Sequence, residues 1–140
     1  MAITAAVCNS YKKEVLDGVH EAGDTYKIAL YTSAATLSKA TTAYSATNEV
    51  ANGNGYTTGG ATLAGFTTAL DTDTAMLDWS TDPTWPAATI TARGALIYNS
   101  TQSNKAVAVL DFGADITSTN GTFTVAFPAA AAATALVRIT

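Results

Sequence analysis

The stretch from residue 89 to residue 127, TITARGALIYNSTQSNKAVAVLDFGADITSTNGTFTVAF, decides the fold class of this chain. Three runs within it, at 90–98, 106–112 and 123–127, alternate between apolar and polar side chains, and loops rich in Asn, Ser, Thr and Gly separate them. A period of two places successive side chains on opposite faces of a strand. We therefore expect an antiparallel meander of three strands with one buried face.

The sequence before this meander predicts one helix, over residues 5–19. Its apolar side chains recur at helical spacing and form one stripe, while charged residues occupy the other side. Thr4 is the expected N-cap, and Gly23 with Asp24 is expected to close the segment. Further short strands are predicted at 26–32, 61–70, 75–79 and 135–139, and a small turn in the alanine run 129–133.

Two prolines interrupt the strand pattern around Trp85. Pro83 and Pro86 are expected to end the pairing there, because proline cannot donate a hydrogen bond to a neighbouring strand. With one helix and seven or eight short strands, the chain is predicted to be a single mainly β domain over residues 1–140. The expected architecture is an antiparallel β-sandwich or a jelly-roll-like barrel with one N-terminal helix.

Residues 33–60 form the longest segment without a regular pattern. Asn-Gly pairs at 52–53 and 54–55, and Gly59-Gly60, indicate tight reversals. About 28 residues is long for a structureless connection in a compact domain. The segment either contains a short element around 47–50 or is an arm that becomes ordered on a partner, and we favour the arm.

Composition and charge exclude several classes of partner. The net charge is −4 with seven basic residues, which do not form a patch, so we expect no nucleic-acid binding. No apolar run approaches the roughly 20 residues that span a bilayer, and no signal peptide is recognised at the start. The expected product is made in a host cytoplasm, binds no membrane and leaves only as part of an assembly.

The residues that could support catalysis are few. His20 is the only histidine and is expected to be solvated at the end of the helix. Cys8, the only cysteine, is interpreted as a small apolar filler on that helix. A serine or cysteine nucleophile would need His20 as its base, and nothing in the sequence places one beside it. We expect the protein not to be an enzyme and assign no catalytic or cofactor-binding residue and no cofactor.

Four aspartates between residues 71 and 82 are the one possible metal site. Asp71 and Asp73 begin like a calcium-binding loop, but Met76 and Asp82 stand where that loop needs Gly and Glu. These aspartates and Asp78 are therefore interpreted as residues that bond the backbone of turns, and no metal site is assigned.

Five aromatic residues could instead form a sugar-stacking platform, although core or interface positions are the ordinary interpretation. Trp85, between its prolines, is the best candidate for an exposed anchor at a protein interface. The platform would consist of Tyr44, Tyr56, Trp79, Trp85 and Tyr98.

Five segments of the chain together resemble a family of small structural proteins of tailed bacteriophages. They occur in the same order over nearly the whole chain, and the most specific parts are YTTGGATL at 56–63 and ARGALIYN at 92–99. The segments are AITAAVCNSYKKEVLDGVH (2–20), YKIALYTSAATL (26–37), TNEVANGNGYTTGGATL (47–63), ARGALIYNSTQSNKAVAVLDFG (92–113) and FTVAFP (123–128).

The resemblance implies a capsid decoration or cement-type protein of the virion. Such a protein binds the major capsid protein on the outer surface of the phage head, stabilises the shell and is expected to be a homotrimer. The family carries no catalytic motif, so no site residue is transferred. The alternative is a carbohydrate- or receptor-binding module on a tail or fibre.

Overall fold

The computed structural model describes residues 2–128, 131 and 133–140. The protein is mainly β, with two antiparallel sheets and one short N-terminal helix, which confirms the predicted fold class. The described strands do not close into a barrel, so the structure agrees with the sandwich rather than the jelly-roll-like barrel. The elements are β1 (Ala6–Val7), α1 (Asn9–Leu16), β2 (Tyr26–Tyr31), β3 (Ala61–Thr62), β4 (Ala64–Asp71), β5 (Thr74–Thr81), β6 (Thr84–Asn99), β7 (Lys105–Thr124) and β8 (Val137–Ile139).

Strands distant in the sequence are neighbours in both sheets. The larger sheet has the order β1-β7-β6-β2-β3, and the smaller has the order β4-β5-β8. Strand β2 pairs along its whole length with β6, from Tyr26 opposite Asn99 to Tyr31 opposite Gly94. The predicted strand at 61–70 is divided between the two sheets, because β3 pairs with β2 in the larger sheet and β4 forms a hairpin with β5 in the smaller one. Strand β5 contains the predicted strand at 75–79, and the predicted strand near the C-terminal end is β8.

One hydrophobic cluster includes residues from both sheets. At their junction the ring of Tyr26 lies 5.3 Å from that of Phe66 and 5.5 Å from that of Trp79, measured between centroids. Tyr26 belongs to the larger sheet and the other two residues to the smaller one, so these rings join the sheets. Aromatic pairs of this kind contribute roughly 0.5–1.5 kcal/mol each beyond the burial of their area.

The meander differs from its prediction. The third predicted strand is not separate, because β7 runs through 20 residues and includes Phe123. Pairing with β6 shifts in register after Asp111 and resumes at Ile116, and Gly113 in this bulge has φ +81°. A bulge bends a strand without ending its pairing. The polar run at 114–122 resembled a loop because most of it is exposed along the edge of the ribbon.

The helix is shorter than predicted, because β1 occupies the residues before it and pairs with β7. Cys8, and not Thr4, is the N-cap residue, and Asp17 is the C-cap. Gly18 follows with φ +74°, a left-handed conformation that commonly terminates helices and that glycine adopts at little cost. The helix therefore ends well before Gly23.

The proline prediction is correct for Pro83, which lies between β5 and β6, and wrong for Pro86. Strand β6 continues through Pro86 because the register shifts between Trp85 and Ala88, and a bulge tolerates a residue without an N–H. The predicted turn in the alanine run 129–133 falls largely outside the described residues.

Candidate functional site

The imidazole side chain of His20 is buried and not solvated, contrary to the sequence prediction. Its side chain is only 2% exposed, with Nε2 3.1 Å from Glu14 Oε1 and Nδ1 3.0 Å from Asn99 Nδ2. The Asn99 amide is oriented by the backbone N–H groups of Thr101 and Gln102, which donate to its oxygen. Its nitrogen therefore donates to His20 Nδ1, so that Nε2–H donates to Glu14. Both ring nitrogens serve to hold the end of α1 against β6.

Cys8 is a free, fully buried cysteine, as the filler interpretation requires, although it lies at the N-cap of α1 rather than within the helix. Burial, with a smaller contribution from the charge of Glu14, raises the pKa of its thiol to about 11. Because the thiolate is the nucleophilic form, this thiol is held in its unreactive state at neutral pH.

The four aspartates do not converge. Asp71 and Asp73 lie at the turn of the β4–β5 hairpin, whereas Asp78 and Asp82 lie roughly 16 Å or more along β5 and beyond its end. Asp78 Oδ1 accepts from the backbone N–H of Trp79, and Asp82 Oδ1 accepts from a backbone N–H 45 residues away. Across the residues that the structure describes, no three metal-binding side chains form a group.

The aromatic residues do not form a sugar-stacking platform. Tyr56, Trp79, Trp85 and Tyr98 are buried, and Tyr44 stacks on Tyr98 with 4.6 Å between ring centroids. The prediction of Trp85 as an exposed interface anchor is wrong. The bulge at Pro86 keeps β6 within the sheet, and the Trp85 ring packs about 6 Å from those of Tyr56 and Phe123 in the core.

Glu49 organises the long loop, and the sequence analysis did not single it out. Its Oε1 accepts hydrogen bonds from the Tyr56 hydroxyl at 2.6 Å and from Gly59 N at 2.7 Å, and its Oε2 accepts one from the Tyr44 hydroxyl at 2.7 Å. The Tyr56 hydroxyl also accepts from Leu30 N, which ties the loop to β2. Burial and this hydrogen bond to Glu49 raise the pKa of Tyr56. The available signal was a lone carboxylate in a segment with only one other charged residue, Lys39.

The premise of the arm interpretation, that little holds residues 33–60 to their own domain, is wrong. Val50 is buried, and its N–H donates to the Leu30 carbonyl at 2.9 Å. Gly60 has φ +81° and lies so close to β2 that a Cβ atom would overlap the carbonyl oxygen of Ile28. The other interpretation, a short element near 47–50, agrees better, since Glu49 makes an isolated antiparallel bridge with Tyr31.

An exposed apolar surface lies at one end of the smaller sheet. Leu70, Ala75 and Ile139 are direct cross-strand partners on β4, β5 and β8, so their side chains share one face. Leu77 and Val137, which lie two residues further along the same face, are buried. At the end of the sheet, in contrast, Leu70 is 72% exposed and Ile139 is 56% exposed. The sheet therefore extends beyond the core that covers the rest of this face.

Helix α1 supplies the opposite wall of this surface. Leu16, in its last turn, is 88% exposed, and Val15 beside it is partly buried. A groove of about 520 Å³ between the helix and β8 is lined by both residues, together with Ile139. We call the surface formed by Val15, Leu16, Leu70, Ala75 and Ile139 the apolar shelf.

Opposite charges flank the apolar shelf. Lys12 of α1 and Arg138 of β8 line the groove, and Asp71 and Asp73 lie at the turn beside Leu70. The shelf itself carries no group that could act as an acid, base or nucleophile. An exposed apolar surface with a charged rim is typical of a protein interaction site.

A second exposed feature is the edge of β7 beyond Asp111. Residues of β7 from Asp111 to Thr124 pair with β6 on one side, and no described strand pairs with them on the other. The bulge at Gly113 and the acidic residues Asp111 and Asp115 are features that disfavour the addition of another strand. We therefore regard the apolar shelf as the better candidate interaction surface.

Comparisons with known proteins add no assignment to this surface. No protein-family model, no curated protein and no solved structure matches the chain. Within the part of the chain that the structure describes, no helix has the length and apolar character needed to cross a bilayer.

Proposed function

We propose that the protein is a non-enzymatic structural component of a tailed-phage virion, a decoration or cement protein bound to the major capsid protein on the head. The observation that carries the proposal is the resemblance of five segments, in the same order over nearly the whole chain, to such proteins. Its site of action is the virion, its chemistry is binding alone, and its working form is a homo-oligomer, for which we propose a trimer.

The structure supports this proposal through the kind of surface it presents. Only 13% of the residues are charged, so covering the surface desolvates few ions. The apolar shelf offers large side chains that gain free energy when another subunit of the assembly, a further copy of this chain included, buries them, roughly 1.5–3 kcal/mol for each one fully buried. A protein of this kind stabilises a shell by contacting neighbouring capsid subunits, because each contact opposes their separation.

The alternative, a carbohydrate- or receptor-binding module on a tail or fibre, rested on the aromatic residues. Trp79 and Trp85 are buried, and Tyr44 stacks on another ring of this chain. Sugar-binding platforms need exposed rings, so this particular argument for the alternative no longer holds.

The proposal is tested on the virion itself. Heads purified from a phage lacking the gene should bind the added protein in a fixed ratio to the capsid protein, and should then resist heat-induced rupture at higher temperature. A density map of the intact particle should show the polypeptide on the head. Density confined to the tail would favour the alternative, and absence of the polypeptide from the particle would contradict both.

A further inference from the structure

We propose that the apolar shelf is a contact between copies of this chain, in which the β4–β5 turn of one copy docks on the groove between α1 and β8 of another. The inference rests on the proposed assembly role and deepens it by naming the surface through which the copies contact one another. Leu70, Leu16 and Ile139 would be buried in this contact, and they are three of the four large apolar residues that are exposed in the described part of the chain.

The distribution of charge favours a second copy of this chain as the partner that binds the apolar shelf. The groove is bordered by the basic residues Lys12 and Arg138, and the turn beside Leu70 carries the exposed acidic residue Asp73. The surface therefore holds both halves of a complementary pair, and a second copy brings its acidic turn to the basic groove. Such a match within one surface is expected of a self-associating protein, because each copy must supply both sides.

The geometry of the shelf also suits this contact. Ala75 lies between the larger residues Leu70 and Ile139 in the same cross-strand row, which leaves a depression between two projecting side chains. Leu70 projects at the edge strand of the smaller sheet, next to the turn, and can enter a groove on another copy. The same pairing of turn and groove serves two copies related by a twofold axis or a closed ring of three.

The mass of the full-length protein in solution, measured by sedimentation velocity between about 1 and 300 µM, tests the inference. The unaltered protein should associate, and Leu70→Asp and Leu16→Asp should each weaken association by at least about 30-fold, as removal of a central contact residue does. Ile116→Asp is the matched control, since Ile116 is 45% exposed on β7 and lies outside the shelf. Circular dichroism and thermal melting establish that each variant is folded.

Charge reversal tests the pairing of turn with groove. Lys12→Glu and Asp73→Lys should each weaken association, and the double variant should regain most of it, because opposite charges again face each other. A monomeric unaltered protein at 300 µM would overturn the inference, as would equal loss in the Ile116→Asp control or no recovery in the double variant.

These outcomes separate the inference from the proposed function. If the protein lies on the head but is monomeric in solution and on the particle, the shelf faces another protein and this inference is wrong. If it associates through the shelf but is absent from the virion, the inference stands and the proposed function fails.

Discussion

At the scale of single residues, the carboxylate of Glu49 holds the long loop together, although a glutamate in a loop is usually exposed to solvent. Glu49→Ala removes the acceptor of hydrogen bonds from Tyr44, Tyr56 and Gly59. We expect the free energy of unfolding to fall by about 2–4 kcal/mol, because donors in a partly buried place lose a charged partner. Urea denaturation measures the change. Glu21→Ala is the control, since this exposed side chain should alter stability by no more than about 0.5 kcal/mol.

Asp78 gives stability a dependence on pH. Its pKa is raised above the ordinary 3.8, chiefly by burial of the carboxyl group. The folded state therefore holds this proton more tightly than the unfolded state. The associated stability is complete below pH 3.8 and is lost as pH rises through the folded pKa.

Asp78→Asn keeps the oxygen that accepts from Trp79 and removes the charge. We therefore expect the difference in the free energy of unfolding, variant minus unaltered protein, to increase from pH 4 to pH 7. Urea denaturation of both proteins at the two pH values measures this difference. A difference between the two proteins that stays the same at both pH values would show that the carboxyl group is not perturbed in the folded state.

Predictions for single residues were correct where the residue type determines the environment. They were wrong where the environment depends on residues far away in the sequence. Cys8 was identified as buried filler from its type. His20 was misjudged, because its partner Asn99 lies 79 positions away in the sequence. The burial of Trp85 depends on a bulge that the two prolines did not reveal.

At the scale of elements, Gly60 fixes how the long loop meets β2. Gly60→Ala should lower the free energy of unfolding by more than about 3 kcal/mol, because the added methyl group overlaps the Ile28 carbonyl and the backbone must move. Gly18→Ala is the matched control. Gly18 also has positive φ but has open space around it, so only the conformational cost of about 1–2 kcal/mol is expected. Equal losses in chemical denaturation would contradict the close contact.

The anchored loop also predicts hydrogen exchange in the free protein. The amide of Val50 donates to Leu30 within the core, so it should exchange roughly 100-fold more slowly than that of exposed Ala46. Mass spectrometry or NMR of the protein alone makes the measurement. Fast exchange at Val50 would restore the arm interpretation.

Element types were easier to predict than element lengths. The alternation at 90–98 and 106–112 identified β6 and β7, because a half-buried strand imposes a period of two. The continuation of β7 through Gly113 was missed, since an exposed edge strand needs no apolar face and its polar residues resemble a loop. The late start of the helix at Asn9 follows from β1, a strand of two residues that carries no pattern of its own.

At the scale of the whole molecule, composition and periodicity were enough for the fold class but not for the arrangement of the strands. A sequence shows that a strand has one buried face, but not which other strand lies beside it. The pairing of β2 with β6 and of β5 with β8 joins segments about 60 residues apart. The apolar shelf depends on the second of these pairings, so no local pattern could have located it.

The central position of β6 has a consequence for how fast the molecule folds. Strands β6 and β7 are joined by a short turn and can form a hairpin early, whereas β2 must close a loop of about 60 residues to reach β6. Chains dominated by such distant contacts fold in milliseconds to seconds. Stopped-flow refolding should therefore show a rate in that range, slowed by Ala29→Gly at the β2–β6 pairing.

Until β2 pairs with β6, a newly made copy exposes the unpaired edge of β6. The time before this pairing forms is therefore the period of greatest aggregation risk.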